Sequence, residues 1–412
     1  MNIWLIHVGE LLPIDGEVRL FRYGILADML VERGHSVTRW APTFIHAYKR
    51  QRTSCDKTIW LSPNYRIELL YADGYNKNVS IQRIKFHRKL ERVLENRMRQ
   101  ELSPPDIILA GIPTPGMCLA AVRYAQQHHI PVVVDVRDLW PDIYLTIVPP
   151  PLRGIVRLAL WPAYRTNRVL FQGATAIWGV SESYLNWGLQ FAGRKQTEAD
   201  AMFPLGYPEP DFLPEVIESE RRKLVALGIA PEKTLCCFFG QFEASYDLET
   251  VIEAARVFEQ AGESHIQFVL CGNGTKLDSL RQRAAGLSNV VFTGWLSGPT
   301  LAAVMQMSKI GLAAYTAQAL QSLPNKPIEY LAGGLIVLSS LQGELEPILT
   351  EGNCGLTYQA GDVSGLVTHI RNLLERPFEL ESMRQNARET FKRIFSVDRI
   401  YPAMIEHLEK MI

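Results

Sequence analysis

The chain has 412 residues, 47% of them apolar and 21% charged, which excludes a disordered chain, a disulfide-stapled miniprotein and a single small module, and asks for about two domains. Lys+Arg and Asp+Glu both total 43, a balance that argues against a surface built wholly to hold nucleic acid. The charge is uneven all the same: residues 1–200 carry 25 basic and 18 acidic residues, a net of +7, which leaves −7 for residues 201–412, so the halves are expected to meet different partners.

In chain order, the start has no basic leader, and its apolar run is broken by His7 and Gly9; it reads as a first strand, over 3–8, and not as a signal peptide. The loop 9–17, with Gly9 and Gly16 near its ends, reads either as a flap over a ligand or as a plain connection. A helix is predicted over 18–33, stopped by Gly34, then strands over 36–40, 107–110, 132–135 and 174–178. Segment 80–101 holds seven basic residues, among them Arg83, Lys85, Arg88, Lys89 and Arg92, with Ile81, Ile84, Leu90, Val93, Leu94 and Met98 at helical spacing. It reads as a basic amphipathic helix suited to anionic lipid, or as a solvated face. Segment 150–168 adds Arg153, Arg157, Arg165 and Arg168 among Leu152, Ile155, Leu158 and Trp161. No window reaches the about 18 apolar residues of a membrane span, so any membrane contact is expected to be peripheral.

Residues 194–233, with Pro204, Pro208, Pro210 and Pro214, read as an interdomain connection. Strands follow over 235–239, 267–271, 290–293, 310–313 and 336–339, and a last helix over 397–412. Strands alternating with crossover helices predict an α/β protein of two doubly wound sheets. The expected domains are 1–205, 206–395 and a C-terminal helix, 396–412, free to pack on either. The six cysteines form no CxxC pair and read as reduced packing residues of a cytosolic protein.

Parallel sheets bind ligands at the carboxyl ends of their strands. In the second half those ends read Gly240-Gln241, Gly272-Asn273-Gly274, Gly294-Trp295, Ala314-Tyr315 and Ser340, and the recurring glycine suits close approach of a nucleotide. Cys271-Gly272-Asn273-Gly274 lacks the third glycine of a dinucleotide fingerprint, Leu277 standing in its place, and no P-loop is present. A helix predicted from Asn325 would point free amides at a diphosphate, with Lys326 adding a full charge and Glu329, one turn on, accepting from hydroxyls; the alternative is a surface Lys–Glu pair on a capped helix.

Taken together, Gly240, Asp247-Leu248-Glu249-Thr250, Cys271-Gly272-Asn273-Gly274, Phe292-Thr293-Gly294-Trp295 and Asn325-Lys326…Glu329-Tyr330-Leu331-Ala332 resemble the donor domain of retaining glycosyltransferases of family four. Arg33-Gly34-His35-Ser36-Val37 and Asp135-Val136-Arg137-Asp138-Leu139-Trp140-Pro141-Asp142 resemble a bacterial surface-polysaccharide subgroup. The resemblance implies the GT-B fold, two Rossmann-like domains facing a cleft, with a nucleotide-sugar donor and an acceptor held by the first domain. Two departures stand out. The family's arginine and lysine after the first glycine are replaced by Gln241 and by Ser245-Tyr246, and the first of its paired glutamates falls on Gln321.

Gly240, Gln241, Gly272, Asn273, Gly294, Trp295, Tyr315, Asn325, Lys326 and Glu329 are thus the candidate donor-binding residues, and Arg137, Asp138 and Lys326 the candidate catalytic ones. Carboxylates beside an arginine orient a hydroxyl or steady developing charge, or else simply pair to fix a loop. No DxD triplet or HExxH spacing occurs, so no divalent metal and no cofactor beyond the nucleotide-sugar co-substrate is expected. The expected protein is a peripheral, inner-membrane glycosyltransferase using a UDP-sugar on a lipid-linked or glycan acceptor. A sugar-nucleotide 2-epimerase and a non-catalytic partner in glycan assembly remain as alternatives.

Overall fold

The computed structural model describes every residue except Glu17, Asn78, Val79 and Ile147. The chain divides into two compact units, Met1–Pro204 with Ile400–Ile412, and Leu205–Arg399.

The first unit is built on β1 (Asn2–Ile6), β2 (Ser36–Pro42), β3 (Phe44–Ile45), β4 (Arg50–Gln51), β5 (Lys57–Ser62), β6 (Tyr65–Leu70), β7 (Ile107–Gly111), β8 (Val132–Val136), β9 (Ala176–Gly179) and β10 (Ala201–Met202). Eight of these form one sheet in the order β10-β9-β8-β7-β1-β2-β6-β5, while β3 and β4 pair separately. Every pairing in the large sheet is parallel except β5 with β6. The runs Ile107-Ile108-Leu109-Ala110 and Val132-Val133-Val134 are buried throughout, as strands covered on both faces must be. Strand order reverses between β1 and β7, the place where such sheets take ligands.

Two sequence expectations change here, and the place of the last helix, left open by the sequence, is narrowed. The first long helix spans Arg22–Glu32, later than the predicted 18–33, because the loop before it is fastened at Asp15: Arg52 donates to both Asp15 oxygens, at 2.7 and 2.5 Å. That makes loop 9–16 an anchored connection; Glu17, its predicted end, lies outside the described residues. The helix Ile81–Gln100, capped by Ser80, keeps Phe86, Leu90, Leu94 and Met98 in the core, so half of the apolar stripe predicted to face lipid, Leu90, Leu94 and Met98, faces protein. Lys89 and Arg97 are tied to Asp73 and Glu68. The last helix, Val397–Glu409, buries Ile400, Tyr401, Met404, Ile405 and Leu408. Glu409 takes Arg33 and His35 at 2.9 and 3.0 Å, and His407 meets the Ala199 carbonyl at 3.0 Å, which binds the chain's end into the first unit.

The second unit is a six-stranded, wholly parallel sheet of β11 (Thr234–Gln241), β12 (Ile266–Asn273), β13 (Val290–Gly294), β14 (Ile310–Ala313), β15 (Ile336–Ser339) and β16 (Gly355–Thr357), in the order β13-β12-β11-β14-β15-β16. Its switch point lies between β11 and β14. The segment read as a connection contains a helix, Pro214–Ala226, whose Ile217 and Leu224 belong to this unit's core; the prolines that suggest a linker occupy its first turn and the extended chain before it. Cys236, Cys237 and Cys271 are buried in the core. Among the described residues no helix is long and apolar enough to cross a membrane.

Candidate functional site

At the switch point of the second unit, β11 ends in Gly240 and Gln241, and the helix Asn325–Ala332 begins after β14. Gly240 sits at φ +136°, and a Cβ placed there would lie 2.4 Å from Cε and 2.6 Å from Nζ of Lys326. The glycine is what lets the lysine cross the strand end. Lys326 Nζ donates to the Tyr246 hydroxyl and lies 4.0 Å from the centroid of that ring and 5.4 Å from that of Phe238, an electrostatically favourable seat for a cation. Burial pushes the Lys326 ammonium down to about 8, with Glu329 pulling the other way.

Lys326 is therefore half-buried, and its pair with Glu329 is not the surface feature that the sequence allowed. Glu329 is itself 7% exposed. Asn325, at the first turn of the same helix, is exposed, as are Gln241, Asn273 and Trp295, the last at 61%. Tyr315 is different: at 1% exposure it is a core residue, its backbone amide and carbonyl both joined to the Ser340 hydroxyl and its ring 5.1 Å from Tyr246. It supports Tyr246 from below and presents no surface to a nucleotide.

The glycines also separate by role. A Cβ on Gly272 would meet the Gly240 carbonyl oxygen at 1.9 Å, and one on Gly274, at φ +157°, the Phe242 backbone at 2.6 Å; both are required by chain packing between β11 and β12. Gly294, at φ +77°, has open space around it and serves the turn into Trp295. Asp247 caps the helix Leu248–Gln260 through Thr250. Gln321 holds a buried side-chain oxygen with no hydrogen-bond partner among the described residues.

At the switch point of the first unit, seven residues form a buried charge network. Arg22 grips Asp135 with two hydrogen bonds, 2.9 and 3.1 Å, and donates to the Phe203 and Pro204 carbonyls; Tyr23 reaches Asp135 at 3.3 Å. Glu10 binds Arg137, takes Arg39 at 3.1 Å and accepts from the Tyr23 amide at 3.1 Å. His7 stacks on Tyr23 at 4.7 Å and meets Arg137 at 3.2 Å. Burial, then Arg137, pushes His7 down to about 3. Burial works to raise Glu10, but Arg137, His7 and Arg39 bring it to about 2. Burial opposes the Arg137 charge, and Glu10 followed by Asp135 outweighs it.

Arg137 and Asp138, adjacent in sequence, are used separately. Arg137 belongs to the network. Asp138 is half-buried, caps the Leu139 amide at 2.8 Å, and is raised by burial against the pull of Arg83 and a Trp140 hydrogen bond. Asp142 takes Tyr164 and Trp187 and fixes its loop. The sequence reading missed His7, Glu10, Arg22 and Tyr246; the available signal for the first two was their place directly after β1, at the strand reversal. Among the described residues no group of three His, Cys, Asp or Glu is arranged to hold a metal.

Residues 233–376 match the family model described as "Glycosyl transferases group 1". A search of curated proteins finds similarity to sulfoquinovosyl transferase SQD2 of Arabidopsis thaliana, 26% identical over 306 residues, which is 73% of this chain and 56% of the relative. It also finds the 2-deoxystreptamine N-acetyl-D-glucosaminyltransferase of Niallia circulans, 23% identical over 174 residues, 41% of this chain and 43% of the relative. The matched stretches thus cover about half the length of each curated relative. Among solved structures, the fold is similar to Anabaena HepE in complex with UDP, at a TM-score of 0.67 and 15% identity with both chains covered in full. It is similar too to sucrose-phosphate synthase from Thermosynechococcus elongatus, at 0.72 and 18%, covering 100% of this chain and 98% of the other. Residues 233–376 of the second unit are thus similar to glycosyltransferase group 1 domains, and the chain as a whole has the two-unit, Rossmann-like GT-B fold of these solved structures.

Proposed function

We propose that the protein is a retaining glycosyltransferase that moves a sugar from a UDP-sugar to a hydroxyl of a lipid-linked or polysaccharide acceptor, the second unit binding the donor and the first the acceptor. The observation that carries this reading is Lys326 laid over Gly240 at the switch point of β11 and β14, inside the segment that matches the glycosyltransferase model. Structures of this fold hold UDP and UDP-glucose in HepE, and both curated relatives are named as sugar transferases; these support the donor class. The retaining outcome rests on the resemblance of the donor-side motifs.

In this mechanism Lys326 and the first-turn amides of the helix Asn325–Ala332 balance the charge that grows on the leaving diphosphate. Glu329 and Gln321 offer acceptor atoms for hydroxyls of the donor, and Trp295 offers a ring for the base. Asp138, its carboxyl raised by burial, orients the attacking hydroxyl, whose proton passes to the departing phosphate. The attack comes from the face the diphosphate leaves, so no protein nucleophile is needed.

Peripheral contact with the cytoplasmic face of an anionic inner membrane belongs to the same reading. Its support has moved along the chain: the helix Arg153–Ala159 buries none of its residues, and Leu152, Ile155, Leu158 and Trp161 are 49, 69, 75 and 57% exposed beside Arg153, Arg157, Arg165 and Arg168. Apolar side chains flanked by arginines suit an acidic lipid surface. Thermal stabilisation across a panel of nucleotide sugars, followed by product analysis with and without acceptor, tests the function. Stabilisation by a UDP-sugar and acceptor-dependent UDP release are expected; epimerised donor without acceptor, or no consumption at all, would contradict it.

A further inference from the structure

Outside the network around His7 and Glu10, the first unit gathers a second polar group around Tyr75, which is 3% exposed. The turn between β3 and β4 supplies His46 and Lys49, the first two turns of the helix Ile81–Gln100 supply Arg83 and His87, and the loop after β8 supplies Trp140. His46 Nδ1 lies 2.6 Å from the Tyr75 hydroxyl and 3.1 Å from Lys49 Nζ. Lys49 Nζ lies 4.6 Å from the Tyr75 centroid, and the Arg83 guanidinium 5.5 Å from it and 4.9 Å from that of Trp140. Arg83 Nε donates to His87 Nε2 at 3.3 Å, which leaves His87 Nδ1 to carry the ring proton; that atom is buried with no partner among the described residues.

Two features of this cluster cost energy in the free protein. Lys49 holds φ +51°, a left-handed conformation uncommon for a lysine. Lys49 and Arg83, from separate elements, converge on one ring, and their mutual repulsion adds to burial in lowering the lysine. Burial, then Lys49 and Arg83, holds His46 down to about 4, and burial, then Arg83 and His46, holds His87 to about 3, so both imidazoles stay neutral as hydrogen-bond groups. Asp138 also feels the Arg83 charge. An arginine, a lysine and an imidazole N–H beside aromatic rings match a phosphoryl group with a sugar next to it.

We infer that Lys49, Arg83, His46 and His87 form a subsite for a phosphoryl group of the acceptor. Assigning that group to the acceptor rests on the transferase reading above; the binding of a phosphoryl group does not. The group can come from a soluble sugar phosphate or from a lipid headgroup, since Ile81 and Ile84, exposed at 72 and 54%, flank Arg83.

Histidine ring signals of the full chain, followed by magnetic resonance during titration with inorganic phosphate at constant ionic strength, test the subsite. The expected result is saturable movement of His46 and His87 with His35 and His265 still, and saturation about tenfold weaker, about 1.4 kcal/mol, in Arg83→Gln and in Lys49→Gln. UDP affinity of both variants should equal that of the parent, and the unmoved histidines report that they are folded. No saturable movement, movement shared by all histidines, or variants that saturate like the parent would overturn the proposal. Inorganic phosphate requires neither donor nor transfer, so a protein that binds it here yet transfers no sugar sinks the transferase reading alone. Two further arms identify the source: binding to phosphatidic acid vesicles that falls in Arg83→Gln and yields to inorganic phosphate marks a headgroup, whereas displacement of phosphate by glycerol phosphate, with vesicle binding unchanged in that variant, marks a soluble acceptor.

Discussion

Gly240 and Lys326 are eighty-six positions apart and share one space: the lysine's Cε occupies ground that any side chain on residue 240 would need, 2.4 Å from where its Cβ would stand. Gly240→Ala should therefore push Lys326 off its seat on Tyr246, in addition to a strain of about 1–3 kcal/mol at φ +136°. The measurement is UDP affinity by calorimetry alongside the melting temperature. A variant that melts lower yet binds UDP like the parent would show that the lysine's position does not matter to the nucleotide.

Lys326 should impose a pH dependence on donor binding. With the ammonium near 8 in the free protein and an ordinary value of 10.5, a bound diphosphate raises it again, so UDP affinity should be flat below about pH 7 and fall as pH rises beyond 8. The free protein should show the opposite trend. Between 8 and 10.5 the unfolded chain holds a proton that the folded one has lost, so this lysine's penalty on stability shrinks as pH rises through that window. Lys326→Ala should abolish both trends; a variant that keeps the affinity profile would assign it to another group.

The network of the first unit predicts acid sensitivity. His7 is neutral in the fold down to about pH 3, and Glu10 ionised to about 2. Below 6.5 the unfolded chain gains the His7 proton, and below 4.5 the Glu10 proton, so their contribution is present above those values and is lost as pH falls through each window. Glu10→Gln, which strands Arg137 and Arg39 in a buried place, should cost about 3–5 kcal/mol in a denaturant titration. A cost under 1 kcal/mol would mean that water reaches the network.

The exposed helix Arg153–Ala159 offers a test of membrane contact that leaves folding aside, since it buries no residue. Ile155→Ser with Leu158→Ser should weaken sedimentation with acidic vesicles at least tenfold and leave the melting temperature unchanged, each large apolar side chain being worth about 1.5–3 kcal/mol on burial. Replacing Arg88, Lys89 and Arg92 should matter less, Lys89 being occupied by Asp73. Equal binding by the double serine variant would remove this surface from the account.

What the sequence discloses and what it hides follow from how each feature is encoded. The central strands are legible because both faces are buried and their residues are uniformly apolar; Ile310–Ala313 and Ile336–Ser339 coincide with the reading to the residue. The pair β5 and β6 is not legible, since β5 is an edge strand with exposed Lys57 and Trp60 and no glycine turn joins the two. In the proposed donor region Gly240 and Lys326 can be picked out as a strand-end glycine and a helix-start lysine, but their contact depends on the sheet order around β11. Tyr315 misleads for a related reason: it follows β14 at the binding edge, yet its ring turns inward. Glu10 and Arg22 are hidden because a buried ion pair leaves no periodic trace along the chain.

The claim at the centre is that Lys326 meets the leaving diphosphate of a UDP-sugar. Release of UDP from the stabilising UDP-sugar, in the presence of acceptor, should be compared between the parent and Lys326→Ala at a pH near 7 and at equal fractions folded. The account predicts a loss of about 100-fold in turnover, the scale of removing one charge-stabilising donor from a reacting centre, with the melting temperature kept within a few degrees. Equal turnover in the two proteins would contradict it.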